Sequence, residues 1–349
     1  MSNSNVTIGM DVSDKYVHLA VIDDSGEVAR RDRIPNREPA IRKWFAPYRG
    51  ARVAMEVGPH SPWMSRLLSG VGMNVILGNP SEIKLISGSH RKNDPIDAEK
   101  LGRLARVDPK LLKPVHHRSE ATQATLSILR ARDAAVRART LLINAVRGQT
   151  KAVGGRIRSC KSEAFHKYAD DVPEVLRVAL VPLFRSIGEL NELIVDYDRR
   201  ISGLCDEVYT TTALFKQIWG VGDLTALLFL LTIEVPQRFS SSRRVGAYFG
   251  LTPKQDQSGE VDKDLGITKA GDVHVRRLLV QCAHRILSEL GPDSDLRRFG
   301  LRLIEHGGAS KKAKRRAVIA VARKLAVLMH RLWITGEEYV PLRNASKAA

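Results

Sequence analysis

Val6-Thr7-Ile8-Gly9-Met10-Asp11, followed after Ser13-Asp14-Lys15 by Tyr16-Val17-His18-Leu19-Ala20-Val21-Ile22-Asp23, is the stretch that decides the fold. Two short apolar runs containing β-branched residues, separated by a tight polar break, predict a β-hairpin. A third strand, Glu27–Ile34, follows the turn residues Asp24-Ser25-Gly26. The pattern then alternates. A helix is expected from about Glu38 to Tyr48, a strand over Arg52–Glu56, a helix from Pro62 to about Ser69 and a strand over Asn74–Gly78.

An antiparallel meander leading into alternating strands and helices is the element order of a ribonuclease-H-like (RuvC-like) fold, and residues 1–112 are read as such a mixed-sheet α/β domain. The periodicity changes after Ser119. Ile128, Ala131, Ala135, Ala138, Leu142 and Ala145 recur at alternating spacings of three and four, a heptad-like seam on a long helix ringed by Arg130, Arg132, Arg137 and Arg139. A second helical region, about Glu174 to Tyr209, gathers Leu190, Leu193, Ile194, Tyr197 and Ile201 on one face. Residues 113–210 read as a helical, coiled-coil-like stalk, serving either assembly or an intramolecular hairpin. Residues 211–335 read as an all-α domain, with Leu224–Ile233, Arg243–Phe249 (capped by Ser240-Ser241-Ser242), Asp272–Leu290 and Lys311–Trp333 as helices. Residues 336–349 form a tail.

Of 349 residues, 56 are Lys or Arg and 38 Asp or Glu, a formal net charge of +18. Residues 1–110 carry only +4 of this, so the excess lies in the C-terminal two thirds. A basic surface gains affinity for nucleic acid by releasing condensed counterions, which makes a polyanion the expected partner. No apolar run approaches the roughly 20 residues of a membrane span. Met1–Met10 lacks a signal-peptide pattern. Cys160, Cys205 and Cys282 form neither a CxxC pair nor a disulfide framework. Membrane, disulfide-scaffold and thiolate-zinc classes are excluded, leaving a cytoplasmic, nucleoid-associated protein as the expectation.

Four carboxylates stand out. Asp11 ends the first strand and Glu56 the fourth, while Asp94 and Asp97 lie three apart in Asn93-Asp94-Pro95-Ile96-Asp97-Ala98, on one face if helical. If they converge, their hard oxygens suit Mg2+, which orients phosphate and lowers the pKa of an attacking hydroxyl. Read locally, Pro95 at a first helical position makes Asp94 a cap and Asp97 part of a capping-box-like start. Further along, Gly220-Val221-Gly222 before Asp223-Leu224-Thr225-Ala226 has the form of a helix-hairpin-helix turn, whose glycines and free N–H groups can approach a phosphate. The glycine-punctuated loop 250–272 contains Lys254, Ser258 and Lys269 and feeds a helix bearing Arg276 and Arg277. A loop serine can be a nucleophile when activated and flanked by cations, although a turn hydroxyl is the plainer reading. His60, His274 and His284 stand isolated and read as structural.

Together these motifs resemble the DEDD insertion-sequence transposases, the IS-one-ten and IS-eleven-eleven group related to the Piv invertases. Ile8-Gly9-Met10-Asp11-Val12-Ser13, Met55-Glu56 and Lys92-Asn93-Asp94-Pro95-Ile96-Asp97-Ala98 look like the N-terminal motifs. Phe249-Gly250-Leu251-Thr252-Pro253, Gln257-Ser258-Gly259 and Ile267-Thr268-Lys269-Ala270-Gly271-Asp272 look like the C-terminal ones. The resemblance implies that Asp11, Glu56, Asp94 and Asp97 bind catalytic Mg2+ and that Ser258 forms a covalent phosphoserine link to DNA. It also implies donor and target DNA as substrates, a structured non-coding bridge RNA as guide, and a homo-oligomer built as a dimer of dimers. Asn93 stands where Thr is common in the family. Two other functions fit the residues: a RuvC-like nuclease or junction resolvase that uses water, and a non-catalytic nucleic-acid scaffold.

Overall fold

The computed structural model describes residues 6–80, 94–258 and 261–343, and within these it leaves out the side chains of Asp94, 255–258 and 261–265. The chain divides into two compact units, Met1–Ser119 and Glu120–Ala349.

In the first unit the meander forms as expected from β1 (Thr7–Val12), β2 (Tyr16–Ile22) and β3 (Val28–Pro35). After α1 (Glu38–Phe45) come β4 (Arg52–Glu56), α2 (Ser61–Gly70), β5 (Asn74–Gly78) and α3 (Asp94–Val107). The sheet order is β3-β2-β1-β4-β5: β2 is antiparallel to both β1 and β3, while β4 runs parallel to β1 and to β5.

Alternation along β1 sorts its residues between two faces. Ile8 and Met10 enter the main core with Val53, Met55, Ile41, Phe45 and Met64. Gly9 turns to the other face, where a small core of Ala54, Leu101, Ala105 and Leu112 lies beneath α3. The helix sits against the strand itself: a Cβ on Gly9 would lie 1.8 Å from the Ala98 carbonyl oxygen, and one on Gly102 would lie 2.9 Å from the Gly9 nitrogen. Arg52, at the start of β4, donates to the Ala105 carbonyl at 2.9 Å. The helix therefore runs antiparallel to β1 and β4, and its first turn lies at their C-terminal ends.

The second unit opens with α4 (Glu120–Ala152) and α5 (Arg177–Gly203), joined through short 3-10 turns. The two helices form an antiparallel hairpin within one chain. Arg132 pairs with Asp198 at 2.5 Å, Arg139 Nη1 donates to Asn191 Oδ1 at 2.8 Å, and Thr125 meets Tyr209 at 3.0 Å.

The buried seam of α4 differs from the expected one. Leu126, Leu129, Arg139, Ile143 and Val146 are inside, whereas of the alanine-rich seam only Ala135 is buried, and Ala138 is exposed. The helix is rotated because leucine, isoleucine and valine remove more apolar surface from water than alanine does.

The remainder is largely helical: α6 (Thr212–Lys216), α7 (Asp223–Ile233), α8 (Arg244–Tyr248), α9 (Val273–Ile286), α10 (Asp295–His306) and α11 (Lys311–Thr335). One hairpin interrupts it, β6 (Pro253–Ser258) with β7 (Val261–Ile267). Every residue of α7 from Thr225 to Ile233 is buried, so this helix is the axis of the unit's core, which also takes in Leu126, Leu129 and Ile201 from the helical hairpin. The expected serine cap of α8 is not made by side chains. Ser241 and Ser242 contribute carbonyls to Arg244 and Val245, and the Ser242 hydroxyl instead meets Nδ1 of the buried His330 at 2.9 Å.

Candidate functional site

Three elements bring the N-terminal acidic residues to one edge of the sheet. The pairing of Met10 with Met55 in the parallel β1–β4 ladder carries Asp11 and Glu56 to the ends of neighbouring strands, both half-buried. The first turn of α3 begins at the same edge and contains Asp94 and Asp97. Asp97 Oδ1 lies 3.6 Å from Lys100 Nζ. The donor set is oxygen only, which suits a hard divalent cation. Among the described residues no group of three or more acidic, histidine or cysteine side chains closes into a metal-binding arrangement, and the Asp94 side chain is not among them.

Ser258 ends β6, paired with Val261 across the hairpin; its side chain, and Gly259, lie outside the described residues. The neck of that hairpin is fully described. Gly250 (φ +65°) and Gly271 (φ +70°) stand where two chain segments cross, and a Cβ would lie 2.3 Å from the Ala270 nitrogen at the first and 2.0 Å from the Tyr248 oxygen at the second. Only glycine has both the left-handed backbone and the clearance for this. Thr268 N donates to Thr252 O at 3.0 Å and Lys269 N to Gly250 O at 3.2 Å.

Beneath the crossing the guanidinium of Arg276, 9 % exposed, donates from Nη1 to the Phe249 carbonyl at 3.0 Å and the Ala270 carbonyl at 2.6 Å. Its position follows from the helix start, where Asp272 caps α9 by accepting from His274 N and Val275 N. Lys254 and Lys269 are exposed.

The Gly220-Val221-Gly222 turn packs and opens at once. Gly220 (φ +90°) sits against α9, where a Cβ would be 3.2 Å from the Cys282 carbonyl oxygen, while Gly222 faces open space at the start of α7. A cleft of roughly 890 Å3 lies there, and its charges are largely spent on one another. Asp133 pairs with Arg277 and, at 3.2 Å, with Arg137; Arg132 is held by Asp198; Asp223 in the first turn of α7 is held by Lys216 at 2.8 Å. His274 also faces Asp133 at 3.7 Å, and burial pushes its pKa down, with Arg277 adding to the effect against Asp133. Arg277 is thus partnered before any phosphate arrives.

These two regions also carry the comparisons with known proteins. A family profile described as "Transposase IS116/IS110/IS902 family" matches residues 212–297, and a second, for DEDD transposases of IS110 type, matches residues 8–153. The "Transposase for insertion sequence element IS1328" of Yersinia enterocolitica is 30 % identical over 330 residues, spanning 92 % of this chain and 95 % of its own. The chain belongs to the IS110/IS1111 family of insertion-sequence transposases. A second family transposase, that of insertion sequence element IS1111A from Coxiella burnetii, is 28 % identical over 345 residues, covering 95 % of this chain and 90 % of its own. The pilin gene-inverting protein of Moraxella lacunata matches 149 residues at 26 % identity, 42 % of this chain and 44 % of its own. As a family transposase the chain is a DNA-cleaving and recombining enzyme, and no helix among the described residues is long and apolar enough to cross a membrane.

One group of residues escaped the sequence reading. Lys311–Lys324 holds seven Lys or Arg residues and not one acid. The apolar period of this stretch marks a helix, and the imbalance of charge along it is the signal of a cationic face.

Proposed function

We propose that this transposase cleaves and exchanges DNA strands through Ser258. The first unit is read as a ribonuclease-H-like (RuvC-like) domain in which Asp11, Glu56, Asp94 and Asp97 hold Mg2+. The observation that carries the reading is that β1 and β4 end, and α3 begins, at a single edge. A divalent cation there would neutralise charge on the non-bridging phosphate oxygens and favour ionisation of an attacking hydroxyl. The Ser258 Oγ forms a bond to phosphorus as the P–O bond to the leaving strand breaks, and the proton lost by the serine is balanced by one gained by the departing alcohol. Lys254 and Lys269, exposed near the hairpin, are read as phosphate contacts, and Gly220 with Gly222 as a helix-hairpin-helix-like approach to the backbone. Arg276 is read as a positioning residue, because its donors serve the neck. Arg277 reaches phosphate only by leaving Asp133.

The guide RNA and the dimer of dimers belong to the same proposal. The net charge of +18 supports a second nucleic-acid partner. Leu141 (68 % exposed) on α4 and Val178 (93 % exposed) on α5 support packing of a second copy on the stalk.

The test is a denaturing gel of the full chain with labelled element-end DNA and guide RNA. Wild type should leave protein covalently attached to DNA. Ser258→Ala should abolish the adduct and cleavage while binding persists, and Asp11→Asn should stop cleavage. Undiminished adduct from Ser258→Ala would refute the serine, and cleavage without any adduct in wild type would favour attack by water.

A further inference from the structure

A cleft of roughly 580 Å3 lies between α11 and the base of the β6–β7 hairpin. Its floor is apolar, made by Leu251, Ile267, Phe299, Ile319 and Val327. Its rim is cationic, made by Arg243, Arg315, Arg316, Arg323 and Lys324, all exposed. Among the described residues no acidic side chain lines it.

Its charges are arranged unlike those of the cleft beside α7. There, Asp133 and Asp198 neutralise Arg132, Arg137 and Arg277 across the opening. Here none of the five cations makes an ion pair among the described residues, so five like charges share one opening. Like charges held together without counter-charge raise the free energy of the empty protein, and an entering polyanion relieves it. Lys324 also meets the floor. Its Nζ lies 3.6 Å from the centroid of the Phe299 ring, and burial, with Arg302 nearby, holds its pKa below the usual lysine value against the opposing pull of Asp295.

The floor narrows the ligand further. A duplex presents sugar and phosphate outward and keeps its bases stacked, so it gains little from an apolar floor. A single strand offers unstacked bases whose faces bury well on apolar and aromatic side chains while its phosphates meet a cationic rim. We propose that this cleft binds a single nucleic-acid strand, its phosphates on the arginine rim and an unstacked base on the floor. Pro253, Gly266 and Ile267 of the hairpin base form one wall, so the bound strand runs beside the element that ends in Ser258. Only that last step rests on the serine reading.

The experiment measures anisotropy of the full chain with three labelled probes of one sequence: single-stranded DNA, single-stranded RNA and duplex DNA. Arg315→Ala with Arg316→Ala, both exposed, should weaken single-strand binding about tenfold or more. It should also lower the slope of log affinity against log salt by roughly 1.4, about 0.7 for each lost phosphate contact. Ile319→Asn should weaken the single strand several-fold and leave the duplex unchanged, the signature of a base on the floor. The DNA and RNA arms show which strand the cleft takes. Equal losses for duplex and single strand from the rim pair, with no effect of Ile319→Asn, would overturn the proposal in favour of general electrostatics, as would failure of both single strands to bind more weakly to the rim variant. Ser258→Ala should leave these affinities untouched, so a failure of the serine reading appears only in cleavage and a failure of the cleft only in binding.

Discussion

Arg276 and Arg277 are neighbours in sequence with opposite circumstances. One helical step of about 100° sends Arg276 beneath the hairpin neck and Arg277 out to Asp133. Nothing in the residues alone separates them, because the partners of Arg276 are main-chain carbonyls of a loop crossing, and carbonyls carry no sequence signature. Arg276→Ala leaves the Phe249 and Ala270 carbonyls without that donor, a loss of about 1–3 kcal/mol. Hydrogen exchange should then quicken at Thr268 and Lys269, the amides that close the neck, while α11 keeps its protection. Unchanged exchange at both amides would mean that the glycine crossing holds without the guanidinium. The carboxylates show the complementary case. Asp11 and Glu56 could be placed from sequence because a strand end is a position that hydrophobic alternation reveals.

Among the elements, the helical hairpin has its own satellite core of Ile143, Val146, Phe165, Val172, Leu180, Phe184 and Ile187, with the Phe165 and Phe184 rings stacked 5.2 Å apart. Phe184→Ala should cost about 3–5 kcal/mol, as deletion of a buried aromatic does. The loss should appear as faster exchange in the second half of α4, with α7 unaffected. Ala138→Glu, on the exposed flank, should change the denaturation midpoint little, and a large loss there would restore the alanine seam as the packed face. The hairpin also shows where sequence reading stops. Both helices could be read from their period within a few residues of their ends, as could β4 and β5. The face of α4 that packs could not, because two stripes one residue apart both satisfy the spacing and the partner's shape selects between them. Ser242 departs from the expected cap for a related reason: a serine before a helix is a good cap until a distant histidine offers its hydroxyl a better-buried partner.

Among the described residues of the whole chain, three histidines, His117, His274 and His330, have their pKa values lowered, in each case first by burial. His330 is 1 % exposed and held between Ser242 Oγ and the Pro236 carbonyl at 3.0 Å. Unfolded histidine titrates near 6.5, so as pH falls below about that value the unfolded chain takes up protons that the folded chain refuses. The stabilisation from the neutral rings is complete above that range and is lost as pH drops through it toward the folded values. The urea midpoint should therefore decline from pH 7.5 to 5.5, and His330→Gln should flatten the decline. An identical slope in that variant would remove His330 from the account. Sequence marks His274 as an isolated residue but cannot give its burial, which, like that of His117 and His330, depends on neighbours from remote segments. Backbone clearance has the longest reach of these features. With no room for even one carbon between Gly9 and Ala98, the strand and the helix that bear the acidic residues are effectively welded, and neither can slide to take up slack. Slack between Asp11 and the first turn of α3 can therefore be taken up only by side chains, so the extra methylene of Asp11→Glu meets a backbone between β1 and α3 that does not yield to it.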